Sequence, residues 1–175
     1  MVMNFYLERT RSALDRAIAG ITTEELSREQ AGKWCVAEIL EHLSLTYDGT
    51  ARVMQRCLDS GRTLASRTSA RDLFARTLVV SLGYMPHGRK SPEMVKPKGA
   101  SPQTVIAVLQ QNLTRMDEAI LGCVRRYGAK VRLANHPVLG PLNATEWSKF
   151  HWVHTRHHLK QIARIRAQRA IQSSS

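Results

Sequence analysis

The segment FHWVHTRHHLKQI, Phe150 to Ile162, holds four of the chain's seven histidines: His151, His154, His157 and His158. A neutral imidazole offers one nitrogen lone pair and is a common metal ligand. Helical residues advance by about 100° each, so Trp147, His154, His158, Gln161 and Ile165 fall within an arc of about 60°. His154 and His158 lie one turn apart on that face and can converge on one ion. His151 sits near the edge of the stripe. His157 projects roughly 60° to the other side, towards a helix boundary or solvent. A second stretch places His42 in the middle of a helical stripe formed by Cys35, Ile39, His42, Thr46, Val53 and Cys57. A single inward histidine is ordinarily a core residue with a hydrogen-bond partner. Three inward imidazoles on two helices, with no obvious carboxylate for each, would cost about 1–3 kcal/mol apiece if left unpaired. One divalent cation satisfies all three lone pairs.

Three imidazoles leave coordination positions open, and open metal sites serve chemistry whereas closed ones serve structure. Water held there has its pKa lowered, and a thiolate can replace it. The chemical outlets are therefore hydrolysis or the transfer of an activated thiol to an electrophile. Zinc is the default ion; nickel, iron and manganese suit the same donor set. Glu38, one turn before His42, is a candidate general base. The preferred reading of Glu38 is a hydrogen bond that orients a ligand histidine or a helix-start charge. Gln161 can orient a ligand or satisfy the core. His136 precedes the last helix in a loop, where a structural role beside Pro137 competes with one at the mouth of the site. Trp34 and Trp147 read as core anchors.

Nearly every periodic segment has helical spacing, and strand alternation is hard to find. The first helix is expected from about Asn4 to Ala19, followed by a short turn at ITTEEL capped by Thr22 with Glu25 three residues on. The second helix covers about Cys35 to Ser60. Residues 69–84 form an extra helix, and Pro86, Pro92, Pro97 and Pro102, with Gly88 and Gly99, make an irregular connection. Ser101-Pro102 opens a third long helix that Gly128 ends. Residues 129–142 form a loop, and the last helix runs from Asn143 to about Ala170. The expected fold is all-α: a four-helix bundle with a long crossover, containing the extra helix, between the second and third long helices. Residues 1–170 form one domain, and 171–175 a flexible tail.

Composition narrows the function classes. No apolar run approaches the roughly 18 residues of a membrane span. The N-terminus lacks the basic-then-apolar layout of a signal peptide, which makes a cytoplasmic location the expectation. Cys35, Cys57 and Cys123 are widely spaced, unlike a disulfide framework or zinc knuckle. The chain of 175 residues carries a net charge of +12. The excess is uneven: residues 99–175 hold eleven Lys/Arg against three Asp/Glu, whereas residues 1–59 hold seven against nine. A basic face recruits anions, but no aromatic-interleaved basic strip or nucleic-acid motif accompanies it. Direct nucleic-acid binding is therefore not the expected role; a solvated surface or an anionic small-molecule partner is.

The segment GKWCVAEILEHL resembles the W-S-x-x-E-x-x-x-H-L segment of the DinB-like (YfiT-type) metalloenzyme superfamily. HTRHHLKQI resembles that superfamily's closing H-x-x-x-H-x-x-Q helix, and HPVLGPLNATEW looks like the lead-in to it in one branch. The resemblance implies a four-helix bundle, often dimeric, in which His42, His154 and His158 hold a divalent metal completed by water. It also implies a metal-dependent S-transferase using a low-molecular-weight thiol, or a hydrolase, acting on a small molecule. The competing class is a non-enzymatic, metal-stabilised or nucleic-acid-associated stress or binding protein. Cys35 departs from the Ser or Thr that usually caps the second helix in that superfamily.

Overall fold

A computed structural model describes residues 4–30, 32–85 and 91–172. Expectations for Pro86, Gly88 and residues 173–175 lie outside the described residues. The chain is mostly helical: α1 (Phe5–Ile18), α2 (Thr23–Ser27), α3 (Val36–Ser60), α4 (Ala70–Arg76), α5 (Pro102–Tyr127) and α6 (Ala144–Gln172). Two strands, β1 (Ala134–His136) and β2 (Gly140–Leu142), pair antiparallel with Asn135 opposite Pro141.

Local chemistry sets the helix starts. The Asn4 side chain accepts the Tyr6 N–H at the head of α1. Thr22 and Glu25 form the expected reciprocal cap on α2. Ser101 caps α5 ahead of Pro102, whose missing N–H costs nothing in the first helical turn. Asn143 and Glu146 cap α6 reciprocally, with Glu146 N–H to Asn143 Oδ1 at 2.9 Å and Asn143 N–H to Glu146 Oε2 at 2.9 Å.

The apolar faces then dictate the packing. α3 lies along α5 and α1 along α6, and α3 also meets α6. Leu40, Leu43, Tyr47 and Met54 of α3 and Leu109, Leu113, Met116 and Ile120 of α5 are buried in one core with Leu7 and Leu14 of α1. Each such side chain contributes about 1.5–3 kcal/mol by leaving water. On α6, Ser148, His151, Thr155 and His158 are buried alongside Trp147, Val153 and Ile162. Its inward face is therefore substantially polar, and those groups need partners in the core.

Two elements depart from the sequence expectation. Residues 69–84 are not one α-helix: α4 passes at Thr77 into a single π-helical turn, Thr77–Ser81, which buries Val79 and Val80. Residues 129–142 are not simply a loop, since they hold the β1–β2 hairpin. Its turn brings Gly140 against the first turn of α4. Gly140 has φ +66°, and a Cβ there would lie 2.4 Å from the Asp72 Cγ. Asp72 is the reciprocal cap of α4, accepting the Ser69 N–H at 2.9 Å. Gly140→Ala combines left-handed strain of about 1–2 kcal/mol with loss of a cap worth about 1 kcal/mol. It should lower the urea midpoint by an amount equivalent to about 2–3 kcal/mol. Gly20→Ala, at φ +70° with nothing within 4 Å, isolates the conformational part and should cost clearly less.

Candidate metal centre

α3 and α6 bring His42, His154 and His158 together. The Nε2 atoms of His42 and His154 are 3.2 Å apart, and those of His158 and His154 are 3.1 Å apart. All three candidate ligand atoms lie within 4.8 Å of one another. Zinc–imidazole bonds of about 2.0–2.1 Å in a tetrahedron put neighbouring nitrogens roughly 3.4 Å apart. The 3.2 and 3.1 Å spacings on either side of His154 are close to that value.

The outer nitrogens decide which tautomers face inward. His42 Nδ1 is 2.8 Å from the Val95 carbonyl oxygen, so it donates its proton there and leaves Nε2 as a lone pair. His158 Nδ1 is 2.8 Å from Gln161 Oε1 and donates in the same way. The Gln161 amide nitrogen in turn lies 3.3 Å from His157 Nε2. His154 Nδ1 is sealed from solvent with no hydrogen-bond partner among the described residues, although the residue as a whole keeps partial exposure. Two lone pairs thus point at His154 Nε2 from either side. One proton on that nitrogen can serve one of them; a cation serves all three. The donor set fits a divalent metal.

Electrostatics keep the cluster neutral and ready to ligate. Burial depresses the His42 pKa, opposed by the Val95 hydrogen bond. Burial, then the proximity of His158 and His42, holds His154 well below the ordinary histidine value. Burial, then His42, brings His158 down to about 3. Metal ligation requires unprotonated imidazoles, and these remain so at neutral pH.

The surroundings are apolar and aromatic. Trp34 lies over His42 with ring centroids 5.0 Å apart, and Phe150 stacks on His154 at 5.5 Å with planes 10° apart. Glu38 supplies the cap of α3, its Oε2 accepting the Cys35 N–H at 2.8 Å. The neighbouring Glu41 is buried and accepts the backbone N–H groups of Lys98, Gly99 and Ala100 at 3.0, 3.1 and 3.2 Å.

The remaining histidines divide. His151 is buried more deeply than its position at the stripe edge suggested. Its Nε2 is 3.0 Å from Thr50 Oγ1, its ring meets Tyr47 edge-on, and burial lowers its pKa to about 3. His136 turns into the hairpin, where Nδ1 accepts the Val138 and Leu139 N–H groups at 3.1 and 3.3 Å. Its ring packs 4.3 Å from Phe150, and burial brings its pKa to about 4. Sequence reasoning missed Val95 and Glu41. The first acts through a carbonyl that every residue carries, and the second reads as an ordinary helix-surface acid.

Fold and site together define a helical protein with an inward three-histidine cluster that could hold a metal ion. The chain belongs to the family described as a protein of unknown function, DUF1569, whose model matches residues 8–165. No curated protein and no solved structure matches it. No described helix is long and apolar enough to cross a membrane.

Proposed function

We propose that the chain is a DinB-like four-helix bundle, built from α1, α3, α5 and α6, and a metal-dependent enzyme acting on a small molecule. The reaction is transfer of a low-molecular-weight thiol to an electrophile, or hydrolysis. The observation that carries this reading is the convergence of three neutral Nε2 atoms, two with their tautomers held by Val95 and Gln161. A bound divalent ion supplies Lewis acidity there, lowering the pKa of a water or thiol ligand. His42, His154 and His158 hold it; Val95 O and Gln161 aim the ligands; Trp34 and Phe150 exclude water from the ring faces. The motif resemblance adds the thiol-transferase and hydrolase alternatives and a homodimer as the expected assembly.

The deep burial of His42 and His158 favours a second reading, a metal-stabilised scaffold without catalysis. Cobalt substitution separates the two. In an enzyme with open positions, small thiols shift the visible spectrum of the cobalt protein, and a screen of thiols against electrophiles finds turnover. A spectrum unmoved by any thiol or anion leaves the scaffold.

Glu38 is the acid–base candidate of the enzymatic reading as well as a cap. Gln at the third helical position can retain the cap, whereas Ala removes it. Glu38→Gln should therefore leave the thermal midpoint within a few degrees and depress turnover by roughly a hundredfold if the carboxylate moves a proton. Equal turnover in Glu38→Gln and the parent confines Glu38 to the cap. Thermal scans and initial rates on the same preparations provide the check.

A further inference from the structure

Glu41 is a buried carboxylate with an unusual set of partners. It sits beside His42 on α3, and three successive backbone N–H groups, from Lys98, Gly99 and Ala100, converge on its two oxygens at 3.0–3.2 Å. Gly99 has φ +80°, a left-handed conformation, and its side-chain position opens on free space. Consecutive N–H groups around such a residue form a concave anion-binding nest. Here the occupant is the protein's own carboxylate.

The connection that carries this nest also carries Val95. Its carbonyl accepts the His42 Nδ1 proton at 2.8 Å, and a 3₁₀ turn over Glu93–Val95 precedes it, closed by Lys96 N–H to Glu93 O at 3.1 Å. Only Lys96 and Pro97 separate the Val95 carbonyl from the first clamped N–H. The connection from this 3₁₀ turn to the nest is thus pinned to α3 at two adjacent residues: Glu41 by side chain and His42 by ring. Pro97 stiffens the segment between.

We propose that Glu41 is a positioning residue for the metal centre: by clamping residues 98–100 it holds the Val95 carbonyl on His42 and thereby fixes the tautomer that presents Nε2 to the cluster. The metal consequence rests on the reading of His42, His154 and His158 as ligands; the tautomer consequence does not. Groups that orient ligating histidines typically contribute about ten- to a hundredfold in metal affinity. Glu41 acts one step further out, through the strap, so the lower end of that range is expected.

The test uses the full chain, ¹⁵N-labelled on histidine, with and without zinc. In the parent without metal, His42 should appear as the Nδ1–H tautomer with slow exchange of that proton. Glu41→Gln replaces an acceptor oxygen by an amide NH₂ that faces the N–H groups of the nest. It should give His42 a mixed tautomer population with fast Nδ1–H exchange, and zinc binding roughly tenfold weaker by competition with a chromophoric chelator. Gly99→Val leaves the side chains of Glu41 and the histidines unsubstituted, and a Cβ at position 99 lies within 4 Å of no described atom, yet the change opposes the left-handed turn that aims the Gly99 N–H at Glu41; it should move both readouts in the same direction. It also serves where Glu41→Gln fails to fold. An unchanged His42 tautomer and exchange rate in a folded variant overturns the proposal. Failure of the parent itself to bind zinc overturns the metal reading instead, and the tautomer comparison still decides the role of Glu41.

Discussion

His154→Ala is expected to abolish stoichiometric metal binding while leaving the helical fold in place. His154 is the hinge of the cluster, since its Nε2 lies 3.2 Å from that of His42 and 3.1 Å from that of His158. Removing it leaves two imidazoles on different helices with no shared third donor. Orienting groups alone shift affinity by about ten- to a hundredfold, so loss of a central ligand should exceed roughly a hundredfold. Stability should follow the metal. A ligand present at a thousand times its Kd stabilises the folded state by about 4 kcal/mol. The parent should therefore gain that order of stability on zinc addition, and His154→Ala should gain almost none. In chelator the substitution removes a buried Nδ1 that has no hydrogen-bond partner among the described residues. The metal-free variant should then lose less than the usual cost of emptying a core position. Chemical denaturation with zinc and with chelator, on both proteins, measures all four values. Equal zinc-dependent stabilisation in parent and variant would show that the ion binds elsewhere.

Acid should unfold the metal-free protein at a milder pH than carboxylate protonation alone would allow. Folding holds His136 at about 4 and His151 and His158 at about 3, and depresses His42 and His154, in every case chiefly through burial. In the unfolded chain each returns to about 6.5. Above that value both states are neutral and the full stability is present. Below it the unfolded imidazoles take up protons that the folded ones refuse, so stability falls as pH falls from 6.5 towards the folded values. Each imidazole contributes up to about 1.4 kcal/mol per pH unit. Five of them acting together exhaust a typical stability of about 5–15 kcal/mol within roughly one to two pH units. A tryptophan-fluorescence midpoint near pH 5 in chelator is the expected outcome. Zinc should shift it lower, because bound imidazoles are withheld from protons. A protein that remains folded at pH 4 in chelator would show that these rings are not buried in neutral form.

Much of this arrangement is written locally in the chain. Thr22 with Glu25, Ser101 with Pro102, and Asn143 with Glu146 announce helix starts because the capping chemistry lies within four residues of itself. The alignment of His154 with His158, and of His42 with the stripe of its own helix, follows from helical geometry alone. What stayed hidden depends on distant partners. The β1–β2 strands are three residues each and contain Pro141, too short and too interrupted to display alternation. The π-turn at Thr77–Ser81 adds one residue to a helical repeat without a breaking residue to mark it. His151 lies at the edge of the stripe, and Thr50 and Tyr47 approach it from α3. The three N–H groups on Glu41 come from more than fifty residues away, so no local pattern separates it from a surface acid.

The central claim is that imidazoles from α3 and α6 share one cation. Elemental analysis of the purified parent, after loading with zinc, nickel, iron or manganese and exhaustive dialysis, tests it most directly. One retained divalent ion per chain, absent from His42→Ala and His154→Ala alike, is the predicted result. No retained ion from any of the four loadings, or an ion kept by both variants, would contradict it.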